Sequence, residues 1–142
     1  MSDIKNNKKD DALLLVWITN PLAAGRIVSC AKKFADENRL VLKVVSVQNE
    51  TRGNWNDTLR DLEQLETAAK ASDAGLTVVY SDDRIEAAKK LVRSEKPYAM
   101  FAGVSDKGGP NYFADTLRLE FPGVKLYCVD TGGEVKEYER TL

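Results

Sequence analysis

The sequence predicts an α/β protein built on a single open, doubly wound parallel sheet of five strands. Along the 142 residues, five short apolar segments alternate with four segments of helical periodicity. Two of the apolar segments, residues 12–19 and 40–47, are continuous rather than alternating, which is typical of strands covered on both faces. No internal repeat or linker interrupts the series. Because strands joined by helices run parallel with right-handed crossovers, we expect strand order 3-2-1-4-5 with helices on both faces.

The composition is typical of one globular domain that binds neither nucleic acid nor a membrane. Apolar residues make up 43% of the chain and charged residues 30%, which is enough apolar surface for a folded core. The formal net charge is −1, so no basic surface is available for a polyanion. No apolar run is long enough to span a bilayer. We therefore predict a cytoplasmic protein with a flexible polar leader at residues 1–11 and one domain over residues 12–142.

The residue types exclude several kinds of catalytic centre. The sequence contains no histidine, which removes the usual Ser-His-Asp and Cys-His nucleophiles and the commonest metal ligand. Its two cysteines, Cys30 and Cys128, are far apart, lie in apolar surroundings and lack zinc-site spacing. We interpret both as buried, reduced thiols.

Helical segments follow each of the first three strands. Pro21 suits the first turn of the first helix, and Gly75 is expected to supply the C-cap of the second. Asp83 and Glu86 have the spacing of a capping box at the start of the third, which Pro97 stops. The apolar faces of these helices carry Leu22, Ile27, Ala31 and Phe34, then Leu59, Leu62, Leu65 and Ala69, then Ile85, Ala88, Leu91 and Val92.

The fourth strand ends at Gly103 and leads into the glycine-rich loop "SDKGGPNY". In a doubly wound sheet, ligands bind beyond the carboxyl ends of the two strands that flank the reversal of winding. In the order 3-2-1-4-5 these are strands one and four, which end at residues 19–21 and 103–105. The loop matches neither the Walker A pattern nor a GxGxxG motif, so a plain strand-to-helix turn remains the alternative to a phosphate site.

The rest of the chain completes the alternation. "FADTLRLEF" reads as a short helix that Pro122 and Gly123 end, and residues 124–130 read as the fifth strand. The polar tail after it has room for one extra strand.

Several segments resemble the universal stress proteins, a small α/β family related to the nucleotide-binding alpha hydrolases. "VWITNPLAAGRIV" is similar to the family's first-strand segment, and "SDDRIEAAKKL" to its step after strand three. "AGVSDKGGPNYFADTLRLEFPGVKLYCV" resembles its last loop, helix and strand, and "NETRGNWNDTLRDLEQL" is nearer to a clostridial-type subgroup and to the stress-type domain of some sensor kinases. The resemblance implies an adenine nucleotide alpha hydrolase-like fold over nearly all of the chain after the leader.

The resemblance also implies a site for ATP or AMP. The family signature is glycine, two residues, glycine, nine residues, then glycine and a hydroxyl residue. Gly103 matches the first glycine, Asp106 stands at the second, and Thr116 and Leu117 stand at the final pair. The implied cofactor-binding residues are Thr19, Asn20, Val47, Gly103, Val104, Ser105, Lys107, Gly108 and Gly109.

The departures from the signature predict weak binding. A carboxylate at Asp106, about 4 Å from a phosphate, costs roughly 1 kcal/mol in water and roughly 4 kcal/mol in a less polar site. Leu117 lacks the hydroxyl that the signature offers to a phosphate, and Thr19 replaces the aspartate that usually closes strand one. Lys107 offsets part of the repulsion as a flexible point charge.

Three interpretations follow. The first is a non-catalytic regulatory domain that binds an adenine nucleotide or another small phosphate ligand weakly. The second is an interaction module that has lost nucleotide binding. The third is a nucleotide hydrolase using carboxylates and Lys107, for which no base, nucleophile and orienting group can be placed together. The resemblance further implies a homodimer formed through the strand at residues 124–130, which the sequence predicts as an uncovered sheet edge.

Overall fold

The structure, a computed structural model, describes residues 12–18, 24–48, 55–103 and 112–138. The predicted leader lies outside these residues, as do Pro21, Leu22 and the loop after Gly103. In chain order the elements are β1 (Ala12–Ile18), α1 (Ala24–Asn38), β2 (Leu40–Gln48), α2 (Trp55–Ala71), β3 (Gly75–Tyr80), α3 (Arg84–Glu95), β4 (Ala99–Gly103), α4 (Tyr112–Glu120), β5 (Lys125–Val129) and β6 (Val135–Glu137).

All of these strands belong to one sheet with the order β3-β2-β1-β4-β5-β6. β1 to β5 all pair in parallel with one another, and β6 pairs with β5 in the antiparallel direction. The predicted fold class and the order of the first five strands are confirmed. The winding reverses between β1 and β4, and the polar tail adds the sixth strand.

The helices cover the sheet in pairs, one pair on each face. α1 and α2 pack against one face, where the buried strand residues include Leu14, Val16 and Phe101. α3 and α4 pack against the other face, over Leu15, Trp17 and other strand residues. Successive side chains of a strand point to opposite faces, so the continuous apolar run of β1 fills both cores. Every β1 side chain from Leu14 to Ile18 is at most 1% exposed.

Local backbone chemistry sets the helix ends, with one correction to the predictions. Asp83 caps α3, since its Oδ1 accepts a hydrogen bond from the backbone N–H of Glu86 at 3.1 Å. The prediction that Gly75 caps α2 is wrong, because Gly75 is already the first residue of β3. Asp73 takes the left-handed position instead, with φ of 51°. Aspartate tolerates that conformation better than most residues do.

β6 covers the outer edge of β5, so the prediction of an uncovered edge at residues 124–130 is wrong. Residues 127–129 pair with residues 135–137, and the sheet ends at β6 instead. All three residues of β6 are exposed, and two of them are the charged Lys136 and Glu137. A short, charged strand protects a sheet edge from further pairing. Strand pairing between two copies would therefore use β6 or the opposite edge strand, β3.

The turn between β5 and β6 is built by Asp130. Its Oδ1 accepts hydrogen bonds from the backbone N–H groups of Gly132 and Glu134, both at 2.9 Å. Gly133 adopts a left-handed φ of 84°, which glycine reaches without steric cost. These contacts within five residues direct the chain back along β5.

Within the described residues, no helix is long and apolar enough to cross a membrane.

The two cysteines are free thiols in different surroundings. Cys128 is 6% exposed, and burial raises the pKa of its thiol from 9.0 to about 12. Cys30 is half-buried on α1, with its Sγ donating to the carbonyl oxygen of Gly133 at 3.5 Å.

We predict that a thiol-reactive disulfide reagent at pH 8 labels Cys30 well before Cys128. The thiolate is the reactive form, and the raised pKa of Cys128 keeps that form scarce until the pH approaches 12. The variants Cys30→Ala and Cys128→Ala assign the two phases of labelling. Equal rates in the folded protein would contradict the prediction, and unfolding in urea should make the rates converge.

Tyr138 fastens the end of the β6 segment to α4. Its hydroxyl donates to Asp115 Oδ1 at 2.6 Å, and its backbone N–H donates to the carbonyl oxygen of Leu126 at 2.7 Å. Its ring packs against the core beneath α3 and α4.

We predict that Tyr138→Phe lowers the free energy of unfolding by about 1–2 kcal/mol, because a partly buried hydrogen bond to a carboxylate is lost while the ring is kept. Urea denaturation measures this change. Tyr98→Phe is the matched control, since Tyr98 is 56% exposed and should change stability by less than about 0.5 kcal/mol. Equal stabilities for the two variants would show that the Tyr138 hydroxyl contributes nothing.

Candidate functional site

The candidate site lies at the carboxyl ends of β1 and β4, where the winding of the sheet reverses. These strands pair directly, and Trp17 lies opposite Ala102. The same register brings Ile18 beside Gly103, so both strands end at one level. The segments that leave them therefore start from adjacent points, as the strand order predicts.

Most of the predicted site residues lie outside the described residues, where their contacts stay predictions. The structure describes Val47 and Gly103 of the predicted set. The others, together with Asp106, are Thr19, Asn20, Val104, Ser105, Lys107, Gly108 and Gly109.

The packing of α1 against the end of β4 favours glycine at position 103. A Cβ atom at this position would lie 2.6 Å from Cδ1 of Ile27 and 3.5 Å from its Cγ1. Ile27 is 2% exposed, so its side chain has little room to move away. The first glycine of the signature thus has a packing function that is independent of any ligand. It brings the first turn of α1 against the backbone at the crevice.

Val47 is a core residue on the other face of the sheet. It is 7% exposed and packs with Trp17 and the residues beneath α3 and α4. It pairs with Val79 near the carboxyl end of β2, one strand away from the reversal. The side chain of Val47 is packed in the core, so a ligand at this position would contact the backbone.

Thr116 and Leu117 lie inside α4, and Leu117 is fully buried at 0% exposed. It belongs to the core between α4 and the sheet. The match of Leu117 to the hydroxyl position of the signature stays a prediction. Core packing explains the leucine, and a hydroxyl there would meet apolar side chains rather than the crevice.

Trp17 supports the crevice from the α3–α4 side. The ring is 1% exposed, and its Nε1 donates to Sδ of Met100 at 3.2 Å. It meets Phe113 edge to face, with ring centroids 5.4 Å apart. These contacts tie the end of β1 to β4 and to the first turns of α4.

Arg26 is a charged residue at this edge that the sequence analysis did not select. It is the third residue of α1 and directly precedes Ile27, whose side chain covers Gly103. Its Nε is shielded from solvent and has no hydrogen-bond partner among the residues that the structure describes, which is uncommon for a guanidinium N–H. The sequence did contain one signal for Arg26. It is a basic residue in the first turn of a helix, where acidic residues are normally favoured.

The described residues contain no group of three or more histidine, cysteine, aspartate or glutamate side chains placed to hold a metal ion. The described polar groups near this edge include the fully buried Ser46 of β2, which lies opposite Ile18, and Arg26 at the start of α1.

Two solved structures share this architecture. A universal stress protein from Archaeoglobus fulgidus in complex with dAMP matches with a TM-score of 0.61 and 15% sequence identity, over 82% of this chain and 96% of that chain. A protein of the universal stress protein family from Burkholderia pseudomallei matches with a TM-score of 0.54 and 15% identity, over 83% and 95% of the two chains.

The chain has the universal stress protein fold. This finding confirms the fold that the resemblance implied. No protein-family model and no curated protein sequence matches the chain, so the likeness rests on three-dimensional structure. The universal stress protein fold places the reversal of winding, and thus the candidate site, between β1 and β4.

We predict that Gly103→Ala lowers the free energy of unfolding by about 1–3 kcal/mol, because the added methyl group overlaps Cδ1 of Ile27. Ile27→Val removes that atom, so Gly103→Ala should cost clearly less in the Ile27→Val background. Urea denaturation of the four proteins in this double-mutant cycle measures the difference.

Gly25→Ala is the matched control, because a Cβ there meets nothing within 4 Å. This exposed helical site should gain about 0.5–1 kcal/mol from the substitution. Strictly additive costs for Gly103→Ala and Ile27→Val would contradict the close approach of α1 to β4.

Proposed function

We propose that this chain is a cytoplasmic regulatory domain of the universal stress protein type that binds a small adenine nucleotide or related phosphate ligand without catalysing a reaction. The observation that supports this proposal is the topology of the sheet. The glycine-rich loop leaves Gly103 at the reversal of winding, which is where open α/β sheets bind their ligands.

The chemistry of the crevice fits a phosphate held mainly by backbone. Glycines at residues 103, 108 and 109 let N–H groups approach phosphate oxygens closely. The ends of β1 and β2, at Thr19 and Val47, would meet the base and the sugar. A protein of the same fold from Archaeoglobus fulgidus is in complex with dAMP, which supports an adenine nucleotide as the ligand class.

The charges of the loop favour a ligand with few phosphates. Asp106 repels each additional phosphate group, and Lys107 compensates only part of that repulsion. We therefore expect AMP to bind more tightly than ATP. The absence of histidine from the sequence, together with the lack of a base and nucleophile that can be placed together, supports a binding role rather than hydrolysis.

A second candidate function is an interaction module that has lost nucleotide binding. The contact between Gly103 and Ile27 favours it, because packing alone explains the glycine. In this case the crevice would be filled by side chains, and the chain would work as a dimer or heteromer. β3 is the better edge for such pairing, since residues 76–79 are uncharged and half-buried whereas β6 is short and charged.

We predict saturable heat on calorimetric titration with AMP, and weaker binding of ATP. Asp106→Asn should strengthen ATP binding by about fivefold, the equivalent of roughly 1 kcal/mol of relieved repulsion. Asp36→Asn, at an exposed position on α1, is the control and should leave both affinities unchanged.

The absence of heat with AMP, ATP and cyclic dinucleotides would defeat the ligand proposal. A dimer detected by light scattering in that case would favour the interaction module.

A further inference from the structure

We propose that this chain forms a symmetric homodimer in which the edge strand β3 of each copy pairs antiparallel with β3 of the other. The partner is a second copy of the chain, and the pairing joins two six-stranded sheets into one continuous sheet. This inference goes beyond the proposed function and does not depend on nucleotide binding. β2 separates β3 from the two strands that flank the reversal of winding, so the dimer leaves the candidate site uncovered.

The outer edge of β3 is open along its whole length. β3 ends the sheet on the side opposite β6, and no strand of the described part of the chain pairs with its outer edge. The hydrogen bonds of the described turns and loops do not reach it either, since none of them involves residues 75–80. An edge strand presents backbone N–H and C=O groups at the spacing of a β ladder. The partner that matches these groups is another β-strand.

β3 lacks the features that protect an edge strand from pairing. Gly75–Tyr80 is six residues long and contains no charged residue and no proline. Charge matters here because a symmetric interface brings each side chain near its own counterpart. β6 has only three residues, and symmetric pairing centred on Lys136 would set two lysines opposite each other. Of the two edges of the sheet, β3 is therefore the one that fits a second copy of this chain.

The two faces of β3 restrict how a second copy pairs with it. Leu76 packs with the core beneath α1 and α2, whereas Val79 packs with the core beneath α3 and α4. Since side chains alternate along a strand, Val78 and Tyr80 share the face of Leu76, and Thr77 shares the face of Val79. Residues directly opposite in an antiparallel pair have side chains on the same face. The twofold axis therefore passes between one residue of β3 and the same residue of the second copy.

An axis at Val78 gives the most favourable side-chain pairs. It sets Leu76 opposite Tyr80 on one face and Thr77 opposite Val79 on the other, and each of these pairs occurs twice across the axis. Pairs of aromatic, aliphatic and β-branched side chains stabilise antiparallel ladders. The same register brings an apolar side chain against Tyr80, which is 47% exposed in the single chain.

The two adjacent registers give poorer pairs. An axis at Val79 would set Asp82 opposite Leu76, which places a carboxylate beside an apolar side chain. An axis at Thr77 would set Tyr80 opposite Ala74, which precedes β3 and belongs to no strand. Val78 therefore lies on the axis, opposite the same residue of the second copy.

The test uses the residue on the axis, because there each side chain meets its own copy. Val78→Lys and Val78→Glu should each raise the dissociation constant of the dimer about tenfold or more, since two like charges then face each other. An equimolar mixture of the two variants should restore the dimer, because the mixed pair sets a lysine opposite a glutamate. Light scattering at several protein concentrations measures the mass of each sample.

Val135→Lys and Val135→Glu are the matched controls, because Val135 is 37% exposed on the other edge strand of the sheet. These variants and their mixture should dimerise as the unmutated protein does. Urea denaturation checks that each variant is folded. Hydrogen exchange of the unmutated protein gives a second readout that needs no variant. The amides of residues 76–80 should gain protection as the protein concentration rises, while those of residues 135–137 should not.

An unmutated protein that stays monomeric up to about 1 mM would overturn the proposal. So would a dimer that the folded Val78 variants do not weaken, a mixture of those variants that stays dissociated, or exchange at β3 that is independent of concentration. Calorimetry with AMP decides the proposed function separately. A dimer that binds no nucleotide leaves this inference standing alone, and a monomer that binds AMP leaves only the proposed function.

Discussion

The direct parallel pairing of β1 with β4 is the constraint on which the rest of the structure depends. β1 lies between β2 and β4 with its side chains from Leu14 onward buried on both faces, so the chain starts at the centre of the sheet and must wind outward twice. The two windings leave a gap between helix layers at the carboxyl ends of β1 and β4. A strand order in which β1 and β4 were not neighbours would have neither that gap nor the candidate site.

Side chains pack on both faces of the sheet near the carboxyl ends of β1 and β4. On one face Trp17 bonds to Met100 and meets Phe113. On the other, Ile27 closes against Gly103, and a cluster of aromatic rings fills the space beneath α1.

The sequence predicts the parts of the fold that depend on short-range patterns. Buried strands are continuous apolar runs, the helices have apolar faces, and Asp83 with Glu86 has capping spacing, so the strand order and the start of α3 follow from sequence. The position of β6 does not follow from apolar patterns, because its three residues are exposed and two of them are charged. It forms through side-chain and backbone hydrogen bonds of Asp130, which leave no hydrophobic signature.

The candidate site is less predictable than the fold, because tertiary contacts decide what each residue does. Spacing alone matched Leu117 to a signature position, but burial in the core accounts for it. Gly103 was matched as a phosphate residue, and its contact with Ile27 is visible only once α1 is folded onto β4. Arg26 gave no motif at all. Its Nε is shielded and lacks a hydrogen-bond partner within the described part of the chain, which a sequence pattern cannot show.

A crystal structure of the protein grown with AMP tests the central claim most directly. The claim predicts β1 beside β4 and the phosphate of AMP within hydrogen-bond distance of backbone N–H groups immediately after Gly103. A structure in which another strand separates β1 from β4, or in which AMP is absent from that rim at saturating concentration, would contradict it.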